Sequence, residues 1–414
     1  MRNRPHKMLA LLAFTAVASA PAAAQPVTWE RAISVNGRGE INALVIADNG
    51  DIIVAGFAPS VRGTPNPWVA RFTPTGESVW TRQYGAPVRE EAQDLALADD
   101  GAILVGGIRY VQPMTGNATM ARLSPQGDLI WNKSIADPAQ GSYVYQVEHA
   151  GSGAAIAVGG ASLPGQRSRD ASIIKRVDAD GTVVWTFGPR DDATYPADPL
   201  FESFDGFATR RPDGDLELHD ATRGIPRCVV IGASDGKLLP APCLTPPIEG
   251  VGFSGPPREY RGGATKVGAD GDPYMRRYDY AGRLLWERVL HSPEGDGFRD
   301  AAMTPEGAVI AVGYRNAAGV EIPSHELAKP GGWHKWDALL VKFDSSGEVV
   351  WRRTIGGELR EELRAVAVLP DGSIVAAGNK GLPGEDWWSP WIIRLDENGQ
   401  HAADAGTPAS TQSN

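Results

Sequence analysis

Seven residues in the C-terminal third of the chain combine aromatic rings with carboxylate and imidazole groups. Indole rings pair apolar area with a donor N–H, so an exposed group of them beside polar side chains suits stacking on sugar rings or anchoring a protein partner. We therefore predict a ligand-binding surface here. The candidate residues are Trp333, His334, Trp336, Glu385, Asp386, Trp387 and Trp388.

The same residues admit two other interpretations. The rings could pack long loops onto the body of the protein. They could also line the cleft of a carbohydrate-active enzyme, a polysaccharide lyase or hydrolase. Its acid and base would then come from His325, His334, Glu385 or Asp386. The chain has no GxSxG elbow, HExxH motif, Gly-Lys-Ser/Thr loop or CxxC pair, so a non-catalytic binding protein is favoured.

A second group consists of Glu40, Glu91 and Glu362, each ten residues before a glycine of a recurring hairpin turn. Arg299 and Arg364 stand two residues further along the corresponding strands. Carboxylates brought together could bind a cation or shift one another's pKa. The recurrence favours a structural role instead, such as accepting backbone N–H bonds.

Regularly spaced tryptophans predict the elements that carry these residues. Trp29, Trp80, Trp131 and Trp185 are separated by 51, 51 and 54 residues, and Trp286 and Trp351 continue the series. All but the first end a phrase with a glycine four residues before the indole. The phrases begin at Arg71, Arg122, Arg176, Arg277 and Lys342. A period of this length indicates stacked structural repeats.

Each period contains four short strands separated by glycine turns, the pattern of a β-propeller blade. We predict an all-β fold, a single seven-bladed β-propeller over residues 25–400. The N-terminal strand at Val27 to Arg31 would complete the last blade beside Ile392 to Leu395, which closes the ring without exposed edges. The candidate loops then lie on one face of blades six, seven and one. Trp68 and Trp391, at the start of third strands, are expected to be structural.

Residues 1–24 have the features of a secretory signal peptide. Three basic residues precede the apolar run from Met8 to Ala20, and an Ala-x-Ala site follows. Its removal takes the formal charge from −10 to −13, which disfavours nucleic acid and anionic membranes as partners. We expect a periplasmic or secreted monomer without a membrane span, and a disordered tail over residues 401–414.

Blade four departs from the pattern because Pro240 replaces the tryptophan. The same blade holds Cys228 and Cys243, the two cysteines of the chain. A tight hairpin with Asp235 opposite Gly236 would place the cysteines across from each other, so a compensating disulfide is predicted, with two unlinked thiols as the alternative.

The phrase from Arg or Lys to tryptophan resembles the docking motif of quinoprotein-like (PQQ-like) β-propellers. The inner Asp-Gly hairpins resemble the bacterial delta-60 and seven-bladed propeller repeats. The resemblance covers residues 29 to 400 and implies a fold more than an activity. Quinone-dependent dehydrogenases typically have eight blades, a disulfide between adjacent cysteines and carboxylates that hold calcium, whereas this chain counts to seven blades and has no adjacent cysteines. We therefore expect no cofactor and no metal.

Overall fold

A computed structural model describes most of the predicted repeats. The described residues are 28–33, 38–112, 115–136, 141–163, 166–188, 206–211, 214–220, 227–241, 251–253, 274–278, 284–290, 296–316, 336–357, 359–382 and 388–401. They form β-strands and turns and contain no helix. Accordingly, this part of the chain offers no helix with the length and apolar character needed to cross a bilayer. The predicted signal peptide and residues 402–414 lie outside the described residues.

The strands in chain order are β1 (Trp29–Ala32), β2 (Glu40–Ile46), β3 (Ile52–Pro59), β4 (Pro65–Phe72), β5 (Ser78–Gln83), β6 (Glu90–Leu97), β7 (Ile103–Gln112), β8 (Thr115–Leu123), β9 (Leu129–Ser134), β10 (Ser142–His149), β11 (Ala155–Leu163), β12 (Gln166–Val177), β13 (Val183–Phe187), β14 (Gly206–Arg210), β15 (Leu216–Asp220), β16 (Arg227–Ile231), β17 (Leu238–Leu239), β18 (Val251–Phe253), β19 (Tyr274–Tyr278), β20 (Leu284–Val289), β21 (Gly297–Met303), β22 (Val309–Asn316), β23 (Trp336–Phe343), β24 (Val349–Ile355), β25 (Glu361–Val368), β26 (Ile374–Gly381) and β27 (Trp388–Leu395).

Within the described residues these strands form six four-stranded sheets and one three-stranded sheet, all antiparallel. We number them in chain order. Sheets 1 to 4 are β2–β5, β6–β9, β10–β13 and β14–β17, sheet 5 is β18–β20, and sheet 6 is β21–β24. Sheet 7 is β25–β27 with β1 added at its edge. Consecutive strands are neighbours, as in the blades of a β-propeller.

The strand at the start of the described chain pairs with the last strand. Trp29 lies opposite Arg394 and Ala32 lies opposite Trp391, in antiparallel register. The outer position of sheet 7 is thus filled by a segment some 360 residues away in sequence. This is the pairing that the sequence predicts.

The spaced tryptophans dock on the glycine turn of the following sheet. A Cβ built on Gly76 would lie 2.7 Å from the Trp29 ring, and one on Gly347 would lie 2.5 Å from the Trp286 ring. Both glycines also have positive φ, 81° and 87°. Only glycine meets both demands, because other residues strain at this φ and would displace the indole.

In sheets 3, 5 and 7 the arginine that pairs with the docking tryptophan completes this attachment. Trp29 Nε1 and Arg394 Nη1 both donate to the carbonyl oxygen of Pro74, at 3.0 and 2.8 Å. Trp185 and Arg176 do the same to Ala233 of sheet 4, both at 2.9 Å. The attachment therefore combines apolar contact with two hydrogen bonds to one carbonyl.

Arginines at this repeat position also hold the inner hairpin of their own sheet. Arg71 pairs with Asp51, Arg122 with Asp100 and Arg394 with Asp371, each at 2.7 Å. The recurring Asp of the inner turns therefore orients the guanidinium that reaches the next sheet.

The innermost strands carry a β-bulge next to a glycine. In sheets 1, 2, 3, 6 and 7 the register of the first strand skips one residue. The skipped residues are Asn42, Gln93, Tyr145, Arg299 and Arg364. A Cβ on Gly107 would lie 2.0 Å from the Glu91 carbonyl oxygen, and one on Gly378 would lie 1.9 Å from that of Glu362. Glycine is needed because the backbones approach too closely for a side chain.

The outer strands also carry bulges, at the residue before each docking tryptophan. Val79, Ile130, Val184, Leu285 and Val350 are skipped in the register and are 50 to 56% exposed. A bulge at an edge interrupts the row of backbone groups that another chain would pair with. We read these bulges as edge protection.

Sheet 4 differs from the expectation in the register of its last hairpin. Val230 lies opposite Leu239 and Ile231 opposite Leu238, so six residues form the turn instead of a tight pair at Asp235 and Gly236. The predicted register was therefore wrong: the wider turn is closed by hydrogen bonds from Gly232 to Lys237 and from Gly236 to Gly232. Cys243 lies outside the described residues, so the disulfide stays a prediction.

Candidate functional site

The acidic positions and the tryptophan loops lie at the same end of the sheets. In sheet 7, Glu361 pairs with Lys380, and the neighbouring Gly381 pairs with Trp388. In sheet 6, the first strand begins with a residue that pairs with Tyr314 of the second strand. Two residues further along the second strand, Asn316 pairs with Trp336 of the third strand. The loops between second and third strands therefore open where the first strands begin. We call this end the loop face.

Two of the three predicted carboxylates are linked by arginines at the loop face. Glu362 is fully buried and is bonded by Arg364, while Arg299 of sheet 6 reaches it at 3.4 Å. Arg364 also reaches Glu40 of sheet 1, at 3.3 Å. The network thus ties sheets 6, 7 and 1 together.

Glu91 of sheet 2 extends the same layer. It pairs with Arg89 at 2.6 Å and accepts a bond from Gln93 at 3.2 Å. Its charge acts on Glu40, as does that of Arg89. We call Glu40, Glu91, Glu362, Arg299 and Arg364 the axial network.

The axial network separates the pKa values of its carboxyl groups. Burial opposes ionisation of Glu362, but Arg364 and Arg299 outweigh it and hold the pKa of Glu362 below its usual range. Burial raises the pKa of Glu40, and the charge of Glu362 adds to that rise against Arg364. Glu362 is therefore the ionised partner of the arginines, and Glu40 is the group that takes up a proton first.

Paired carboxylates of this kind are better suited to structure than to cation binding. Their partners here are guanidinium and amide groups instead of the backbone N–H groups that the sequence suggested. Among the described residues no cluster of three or more His, Cys, Asp or Glu is placed to hold a metal. Arg299 and Arg364 are the residues skipped at the bulges of their strands, and both guanidinium groups reach Glu362.

Trp336 connects the loop face to the axial network. Its ring stacks on Tyr314, with centroids 4.5 Å apart and an interplanar angle of 24°. The Arg299 guanidinium lies over the same Tyr314 ring, 4.9 Å from its centroid. The indole is half-buried, so part of it is available to a ligand.

Trp388 occupies the same repeat position in sheet 7 as Trp336 does in sheet 6. It is half-buried, and the Arg360 guanidinium lies 4.5 Å from its ring centroid. Its backbone oxygen accepts a bond from Gly39 N of sheet 1 at 2.8 Å. Trp388 therefore lies at the seam between the chain's first and last repeats.

The other predicted site residues divide into two groups. Trp68 and Trp391 are fully buried in the sheet cores, which confirms their structural role. Trp333, His334, Glu385, Asp386, Trp387 and the alternative acid–base residue His325 lie outside the described residues. Their participation stays a prediction.

Sequence reasoning missed one recurring motif of the loop face. Arg38, Arg89 and Arg360 each stand two residues before an axial glutamate, in sheets 1, 2 and 7. The signal was readable as Arg-x-Glu at a fixed distance from the inner turn.

Glu361, beside the axial network, makes the stability of the protein depend on pH. Burial raises the pKa of Glu361 to about 7 from 4.5, against the charge of Lys380. Its Oε2 atom has no hydrogen-bond partner among the described residues. The folded protein therefore binds this proton more tightly than the unfolded chain, so the group's contribution to stability falls as the pH rises from about 4.5 to about 7.

We expect Glu361→Gln to remove part of this dependence. The variant should be more stable than the parent above about pH 7, with the difference shrinking as the pH falls toward 5. Urea denaturation at several pH values measures this. The exposed Glu77→Gln is the matched control, and an unchanged pH slope in Glu361→Gln would contradict the assignment.

No family model and no curated protein sequence matches the chain. Solved structures resemble it distantly. A protein of unknown function from Dyadobacter fermentans shares 13% identity over 89% of this chain and 99% of that one, with a TM-score of 0.44. The β-propeller domain of the Trilobed protease from Pyrococcus furiosus shares 9% identity over 90% of this chain and 100% of that one, with a TM-score of 0.41. A glucose dehydrogenase shares 14% identity over 90% of this chain and 99% of that one, with a TM-score of 0.37. These similarities are too distant to assign an activity, and membership of the quinoprotein-like family stays a prediction.

Proposed function

We propose that this protein is a non-catalytic seven-bladed β-propeller that binds a glycan or protein through the loop face of sheets 6, 7 and 1. The observation that carries the proposal is the pair Trp336 and Trp388. They occupy one repeat position in adjacent sheets, and each is half-buried with a second ring or a guanidinium behind it. Aromatic rings held in place in this way lose little freedom when a ligand covers them.

Contacts between the first and last repeats support the placement of the site. Sheet 7 contains β1, and Trp29 of that strand docks on the outer turn of sheet 1. Asn379 of sheet 7 accepts a bond from Ile41 N of sheet 1 at 2.9 Å, deep in the interface. These contacts place sheets 7 and 1 side by side, which supports a binding surface shared by the first and last repeats.

We also propose that the protein acts in the periplasm or outside the cell. The support is the signal-like segment of residues 1–24. Expression of the full chain in a Gram-negative host, followed by N-terminal sequencing of the periplasmic fraction, tests this. A product that begins at Met1 and stays in the cytoplasm would contradict it.

A double variant tests the binding surface. We expect Trp336→Ala with Trp388→Ala to abolish retention of ligands found for the parent on a glycan array or in pull-down from envelope extract. Loss of two anchoring indoles should weaken binding by about 100-fold or more. Ile130→Ala is the control, because it also removes apolar area but from a side chain that is 56% exposed on an outer strand. Equal retention by parent and double variant, with unchanged thermal unfolding, would refute the proposal.

A further inference from the structure

Glu361 carries a buried carboxyl group that faces sheet 6 at the loop face. The residue is 6% exposed. Leu363, two residues further along β25, packs in one core with Leu340 and Trp351 of sheet 6. Side chains two residues apart on a strand point to the same side, so Glu361 points into the interface between sheets 6 and 7. Its Oε2 atom has no hydrogen-bond partner among the described residues.

The same repeat position is paired with strong donors in two other sheets. Glu90 of sheet 2 accepts two bonds from Arg109, at 3.1 and 3.2 Å, and one from Asn132 at 2.9 Å. In sheet 6, Asp296 is bonded by Arg352. Both acids stand three residues before the skipped residue of the bulge, as the carboxyl group in sheet 7 does. The repeats therefore show what a satisfied acid at this position looks like.

Sheet 7 has an acid where the other two sheets have a donor. Glu30 follows its docking tryptophan, as Asn132 and Arg352 follow theirs. Lys380 lies opposite Glu361 in the register, but its ammonium group is bonded to Glu30. One carboxylate oxygen of Glu361 is consequently left for a donor from outside the described residues.

Trp336 stands at the mouth of the same interface. It lies two residues before Ala338, which packs in the core shared by sheets 6 and 7, and its ring stacks on Tyr314. The indole is half-buried, whereas the free oxygen of Glu361 is buried. The charge of Asp337 also acts on Glu361. The interface thus combines an aromatic wall at its mouth with an unfilled acceptor and surplus negative charge inside it.

This combination suits a lysine side chain better than a sugar ring. Lysine carries a compact charge at the end of a flexible apolar stem, which can lie along an indole while the ammonium group reaches deeper. A single free oxygen matches that point charge, whereas the planar fork of arginine is matched by two acceptors. A sugar ring is too wide to approach an oxygen that solvent does not touch.

We infer that the interface of sheets 6 and 7 receives a lysine side chain of a protein partner, with its ammonium group on Glu361 and its stem against Trp336. This inference rests on the proposed binding surface and identifies its ligand as a protein. The formal charge of −10 favours a basic partner. The raised pKa of Glu361 agrees with it, because a cation that would lower that pKa is missing from its free oxygen.

Hexalysine is the probe, and hexalysine acetylated on its side chains is the matched control. Binding is measured by calorimetry at about 0.15 M salt, which screens distant charges, and at about pH 8, above the pKa of about 7 of Glu361. We expect the acetylated peptide to bind at least about tenfold more weakly, because acetylation removes the charge. Equal affinity of the two peptides, or no binding of hexalysine, would overturn the inference.

Variants of single acids locate the site. Glu361→Gln should weaken hexalysine binding by about tenfold, and it keeps the fold because the substitution removes a buried charge without changing the shape of the side chain. Glu77→Gln makes the same charge change at the exposed outer turn of sheet 1 and should have no effect. Equal weakening by the two variants would reveal general attraction to an acidic protein and would exclude a site at Glu361.

The outcomes separate this inference from the proposed function. If Glu361→Gln binds hexalysine as the parent does, while the Trp336→Ala, Trp388→Ala variant loses other ligands of the parent, the binding surface stands and the lysine site is wrong. If the tryptophan variant keeps every ligand of the parent, hexalysine included, the surface itself is wrong.

Discussion

Trp29→Ala is expected to lower the free energy of unfolding by about 3 to 5 kcal/mol. The indole is 4% exposed, fills the turn at Gly76 and donates to the Pro74 carbonyl. Its removal leaves a cavity at the junction of the chain's two ends, and the Pro74 carbonyl oxygen keeps Arg394 as its one remaining side-chain donor. Chemical denaturation measures the loss.

Trp185→Ala is the control that distinguishes loss of the contact between the chain's two ends from loss of any buried docking indole. Trp185 is 7% exposed and docks in the same way between sheets 3 and 4, so its loss should cost a similar amount. Hydrogen exchange should then differ: faster exchange in sheets 1 and 7 is expected only for the Trp29 variant. Unchanged exchange in both sheets would contradict the proposed closure.

Gly107→Ala should cost about 3 kcal/mol or more. The new methyl would lie 2.0 Å from the Glu91 carbonyl oxygen and 3.2 Å from the Cα of Ala92, both backbone atoms. Either the bulge is displaced or the two strands separate, and both outcomes move Glu91 of the axial network. Thermal and urea unfolding measure the loss.

Gly357→Ala is the control for this substitution. Its Cβ would meet nothing within 4 Å, so a change within about 0.5 kcal/mol is expected. A Gly107→Ala variant as stable as the parent would mean that the bulged strand can relax, and the close approach would then have no structural importance.

The fold was largely readable from the spacing of the tryptophans. The indoles recur because each must reach the next sheet's turn, so their period reports the length of one repeat. The partner atoms were not readable. Arg394 and Trp29 bind one carbonyl although they are distant in sequence, and only the pairing of β1 with β27 brings them together.

The bulges were hidden for a similar reason. Small residues such as Gly56 suggested strands crowded around an axis, but the closest atom to its hypothetical Cβ is the Glu40 carbonyl oxygen of the neighbouring strand. A bulge adds one residue without changing the apolar alternation that sequence patterns detect. The direction of Arg364 therefore followed from the structure alone.

The candidate site was partly readable. Trp336 and Trp388 were identified from their place in the loops, and Glu362 from its repeat position. The ion pairs between Arg299 and Glu362 and between Arg364 and Glu40 cross from one sheet to another. Such contacts depend on how neighbouring sheets are offset, which a single sequence does not specify.

The docking between sheets has a direction, and this affects how a chain of such repeats can gain repeats during evolution. The indoles and guanidinium groups of sheets 3, 5 and 7 reach forward to the outer turn of the next sheet, and that turn offers its glycine backward. A tandem duplication of one repeat would therefore carry both halves of the joint with it. Blade number could change through gene duplication without the evolution of a new interface, provided that the terminal strand still finds the final sheet.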